Sequence, residues 1–72
     1  MQRVWTTMQG TFKEVRDRCL EDNAVIGREA IQFYPWQGFG SEADVYMLEG
    51  YLSAEEIVRC NIEEDYMIQE YC

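Results

Sequence analysis

The sequence contains no histidine and only one proline in 72 residues. Imidazole is the side chain whose ordinary pKa lies nearest neutrality, so its absence excludes a Ser–His or Cys–His nucleophile pair and the commonest zinc ligand. The three cysteines, Cys19, Cys60 and Cys72, form no CxxC pair, and their odd number precludes a closed disulfide framework. They read as the reduced thiols of a cytoplasmic chain, with Cys19 and Cys60 serving as small core hydrophobes. Serine occurs only at Ser41 and Ser53, where helix caps account for it. Gly38-Phe39-Gly40 is too short for a phosphate-cradling loop. No stretch approaches the roughly 20 apolar residues of a membrane span, and no apolar N-terminal run resembles a signal peptide. Glu63-Glu64-Asp65 lacks the spaced acids and glycine of a calcium loop. These absences lead us to expect a chain that is not an enzyme and uses no metal or cofactor.

Cations are also scarce. Six Lys and Arg face 14 Asp and Glu, giving a net charge of −8. Such a charge opposes direct binding to nucleic-acid phosphates and to anionic membranes. Residues 1–36 balance five cations with five acids, whereas residues 37–72 set Arg59 alone against nine acids. The whole excess therefore belongs to the C-terminal half.

Hydrophobic residues make up 47% of the chain, enough for one folded domain over residues 1–72. Residues 2–9 alternate β-formers and read as a strand. Thr11-Phe-Lys-Glu14 matches a capping box and opens a helix over about 12–22, with Phe12, Val15, Cys19 and Leu20 as its apolar face and Asn23 as its left-handed terminator. A second strand is expected over about 28–34, ended by Pro35, and a loop over 35–42. Residues 44–52 fit a strand or, capped from Ser41, a short helix. Ser53-Ala-Glu-Glu56 is a clearer capping box. A single helix over 54–71 would turn Asn61, Glu64 and Asp65 toward the core. A stop near Asn61, an acidic turn at 62–65 and a last strand over about 66–71 are therefore preferred. The resulting fold class is α+β, a ferredoxin-like β-α-β-β-α-β order with an antiparallel sheet and two helices on one face. The alternative is a small sheet with a helical C-terminal half.

Two features carry an interaction hypothesis. Trp36 and Phe39 lie in a loop next to Pro35, as aromatic anchors or as a cover for the sheet's end. Glu55, Glu56, Glu63, Glu64, Asp65 and Glu70 crowd the C-terminal half, and Glu56, Glu63 and Glu70 recur every seven residues. Seven residues advance about 10 Å along a helix, and two residues advance about 7 Å along a strand. Either spacing can imitate the phosphates of a nucleic acid, which follow one strand at about 3.4 Å per base pair.

Ala30-Ile31-Gln32-Phe33-Tyr34 followed by Gln37-Gly38-Phe39-Gly40 resembles a segment of the ArdA-type antirestriction proteins, which are acidic DNA mimics. The family segment has an acidic residue near the aromatic and lacks the inserted Pro35-Trp36, and its members are longer. In type, the small acidic chain also resembles anti-CRISPR inhibitors carried by phages and mobile elements. These resemblances imply a non-catalytic inhibitor in the cytoplasm of a bacterial host. Its acidic surface would occupy a basic nucleic-acid groove on a restriction nuclease or CRISPR effector. The alternative is a small ferredoxin-like ligand-sensing or homo-oligomerisation domain, a homodimer for example, whose edge strands pair between subunits and whose acidity serves solubility.

Overall fold

The computed structural model describes residues 1–36 and 44–69. Strand β1 spans Gln2–Gln9, helix α1 Phe12–Ile26, strand β2 Ile31–Pro35, strand β3 Val45–Leu52, helix α2 Ala54–Arg59 and strand β4 Met67–Gln69, with a 3-10 turn at Ile62–Glu64 between the last two. The chain is α+β, with the elements in the expected β-α-β-β-α-β order. The strands form one sheet in the order β2-β3-β1-β4, and all three neighbouring pairs are antiparallel. Thus β3 lies between β1 and β2, and β1 lies between β3 and β4.

Both capping boxes form. The Thr11 hydroxyl accepts from the Glu14 N–H, and the Glu14 carboxylate accepts from the Thr11 N–H. Ser53 and Glu56 repeat the exchange at the start of α2. Each box satisfies two backbone donors that a helix start leaves without partners.

Helix α1 runs four residues beyond the expected end at 22. Ile26 continues the stripe of Val15 and Cys19, and burying it in the core favours another turn. Gly27, at φ 96°, takes the left-handed terminating position assigned to Asn23, since glycine adopts that conformation without a Cβ clash. Leu20, expected on the apolar face, stands 60% exposed, one helical step of about 100° from Cys19. Strand β2 begins at Ile31 rather than near 28, because Arg28–Ala30 form a turn in which the Ala30 N–H donates to the Arg28 carbonyl.

Residues 45–52 are a strand throughout, and the short-helix alternative is set aside. As an inner strand, β3 supplies hydrogen-bonding partners to both β1 and β2. The helical alternative for the C-terminal half fails as well. Helix α2 stops at Arg59, Asn61 adopts φ 54° and the chain returns as β4. Residues 70 and 71, expected in the last strand, lie outside the described residues.

Val4, Ile31, Leu48 and Leu52 from the sheet pack with Val15, Cys19 and Ile26 of α1 and Ile57 of α2, so both helices share one core with the same face of the sheet. Ile62 and Tyr66 complete that core. The sequence reading put both in polar surroundings, a turn and a strand start. The turn buries them because the chain folds back over the end of α1, where the Tyr66 hydroxyl donates to the Asp22 carboxylate at 2.6 Å. Gly50 lies opposite Val4 and Ile31, and any Cβ there would collide with the Ala30 carbonyl.

Candidate interaction surfaces

Two surfaces stand out, one acidic and one apolar. The acidic one follows from how the arginines are used. Arg3 pairs with Glu49, Arg16 with Asp17, Arg18 with Asp22 and Arg28 with Glu56, while Arg59 donates to the Ile26 carbonyl. Glu56 is therefore an internal tie rather than a free surface charge. It accepts two hydrogen bonds from Arg28, both at 2.8 Å, and one from the Ser53 N–H. The Arg28 hydrogen bonds, reinforced by the cap, lower its pKa to about 2.

The other carboxylates expected to face a partner are less engaged. Glu55 and Glu63 are exposed and form no ion pair among the described residues. Glu64 is exposed and accepts from the Asn61 side-chain amide at 2.7 Å. Asp65 is exposed and meets Arg18 only loosely, at 3.7 Å. The tighter bond of Arg18, at 3.0 Å, goes to Asp22. The fold thus brings Glu63, Glu64 and Asp65 together on the turn after α2, with Glu55 at that helix's first turn. Glu70 and Phe39 lie outside the described residues, as does the 37–40 part of the antirestriction-like segment.

Beneath the turn, Tyr66 is buried, and its phenol is pushed well above its ordinary pKa by that burial and by the hydrogen bond to Asp22. Among the described residues, no three His, Cys, Asp or Glu side chains are grouped to hold a metal ion. No helix there is long and apolar enough to cross a membrane.

The apolar surface is the sheet face turned away from the helices. Successive strand residues point to opposite faces, so burying Val4 and Leu48 against the helices turns Trp5 and Met47 the other way. Trp5, Trp36, Met47 and Met67 line an open groove of about 540 Å³ there, bordered by Arg3 and Gln69. Met47 is buried, whereas Met67 is exposed. Trp36 is half-buried, and its backbone N–H donates to the Val45 carbonyl just past the end of β2. Arg3 lies over the Trp5 ring at 5.9 Å and bonds Glu49, which also accepts from the Tyr34 hydroxyl. These hydrogen bonds, Tyr34's first and then Arg3's, lower the Glu49 pKa.

Sequence reasoning singled out Trp36 but missed its neighbours Trp5, Met47 and Met67. The signal was present in the alternation of Trp5 with Val4, but it shows only once the helices are known to cover the Val4 side.

Compared with protein-family models, curated proteins and solved structures, the chain matches none.

Proposed function

We propose that this protein is a non-catalytic inhibitory binding protein. Its exposed carboxylates Glu55, Glu63, Glu64 and Asp65 would occupy a basic nucleic-acid-binding groove of a bacterial defence nuclease or CRISPR effector. The observation that supports this reading is the pairing pattern: Arg3, Arg18 and Arg28 bond Glu49, Asp22 and Glu56 at 2.6–3.0 Å, whereas Glu55 in the first turn of α2 and Glu63 in the turn after it are exposed and form no ion pair among the described residues. A net charge of −8 attracts a basic groove over distances near the Debye length, about 8 Å at physiological salt. Such a surface favours fast association at low salt and discriminates by charge more than by shape. Residence in a bacterial cytoplasm and carriage by a phage or mobile element belong to the same reading.

The test is inhibition of DNA cleavage by purified restriction nucleases and CRISPR effectors at low and high salt. Inhibition that fades as salt rises, and that is lost in a Glu63→Lys, Glu64→Lys, Asp65→Lys triple variant, is the expected result. Cleavage unaffected by the wild-type chain at low ionic strength, with no complex detected, refutes the proposal.

A further inference from the structure

The sheet face turned away from the helices is balanced in charge among its described strand residues. Of the described strand residues that alternate onto it, only Arg3 and Glu49 are charged, and they pair with each other, Arg3 Nε 3.0 Å from Glu49. A chain of net charge −8 repels its own copy through its acidic side but carries no net strand charge on this face. The described helices and turn pack against the opposite face. It presents Trp5, Met67 and Tyr51, with Met67 60% and Tyr51 53% exposed.

We propose that this face docks a second copy of the chain, the two sheets packing face to face about a two-fold axis. Charge selects this occupant. A basic partner gains nothing on a neutral apolar face, whereas a second copy can meet it without bringing the acidic turns together. A two-fold contact places the same patch on both copies, so Arg3 of one subunit can approach Glu49 of the other and the pairing remains satisfied. Size agrees with a modest dimer. The four strands hold 24 residues. At roughly 3.4 Å per residue and 4.8 Å between strands, they give a flat footprint of about 400 Å² per copy. The roughly 800 Å² of the pair lies below the range of about 1,200–2,000 Å² of stable complexes, at the size of a weak, transient contact. Such a dimer dissociates on dilution.

This inference does not depend on the acidic surface, and salt separates the two. Binding a basic groove weakens as salt rises, whereas association of two −8 chains strengthens because their repulsion is screened. The experiment is analytical ultracentrifugation over a dilution series at low and high salt, together with tryptophan emission. Both tryptophans, Trp5 and Trp36, line the groove, so their emission reports its desolvation. The expected result is a mass rising from 8.6 kDa toward twice that value with concentration and with salt, accompanied by a blue shift. Thr7→Glu, near the centre of the face, and Met67→Glu, at its β4 side, are expected to hold the chain at the monomer mass while circular dichroism remains native. Glu63→Lys, on the acidic turn, should leave the dimer intact. A wild-type mass of 8.6 kDa at every concentration and salt overturns the proposal, as does a dimer that survives in the folded face variants.

Discussion

The side chain of Asn23 acts as a strand neighbour for Ile31. Its Oδ1 accepts from the Ile31 N–H at 2.8 Å, and its Nδ2 donates to the Ile31 carbonyl at 3.1 Å. The same oxygen accepts from the Ala30 N–H. Three backbone groups at the start of an edge strand are thus satisfied from the last turns of α1, which joins the helix to β2 before any hydrophobic contact is counted. Removing the amide takes away the Ile31 N–H's acceptor, while the Ala30 N–H keeps the Arg28 carbonyl and the Ile31 carbonyl keeps the Cys19 thiol. Asn23→Ala is expected to destabilise the fold by about 1–3 kcal/mol in urea unfolding. A variant as stable as wild type would show that water replaces all three bonds.

The Arg28–Glu56 pair joins the turn after α1 to the first turn of α2. The pKa of Glu56 falls from 4.5 to about 2 on folding. A carboxylate with a depressed folded pKa contributes stability above its unfolded pKa and loses it as pH drops through the folded value. The Tm difference between wild type and Glu56→Gln should therefore be full near neutrality and close between about pH 4.5 and 2. A constant difference across that window would show that the packing of the side chain, not its charge, sets the effect.

Gly50 is the one strand position where the backbone of the turn before β2 comes too close for a side chain. Gly50→Ala gains β-propensity but forces the Ala30 carbonyl aside, disturbing the turn that Asn23 holds. The expected outcome is a loss of stability of about 1–3 kcal/mol. At about 4–8 °C per kcal/mol for a domain of this size, the drop is easily read in a thermal melt. An unchanged Tm would mean that the 28–30 turn gives way without cost.

Local features were legible in the sequence, and features that depend on a partner were not. Thr11/Glu14 and Ser53/Glu56 are three residues apart, so the chemistry of each capping box lies within one turn and needs no tertiary contact. The β1 alternation is local in the same way, and the stop near Asn61 followed from the acids that a longer helix would turn toward the core. The end of α1 was misplaced because Asn23 and Gly27 both suit a terminator. Burial of Ile26 against the sheet selected Gly27 and released Asn23 for Ile31. Ile62 and Tyr66 sit among five acidic residues between Glu55 and Asp65, which gave them the look of a solvated turn until Asp22 was placed beside the Tyr66 hydroxyl.

The candidate surfaces divide along the same line. The sequence by itself determined the α+β order, the two helix starts and the concentration of negative charge after residue 36, because propensity, capping and net charge are properties of short stretches. It could not determine which carboxylates remain free. Glu56 and Glu63 look alike in sequence, and only the fold brings Arg28 to one and leaves the other in water. Nor could it determine which side of β1 faces the helices. Once Val4 is packed beneath α1 and α2, the period of two in a strand turns Trp5 outward, and a face that carries both tryptophans becomes surface.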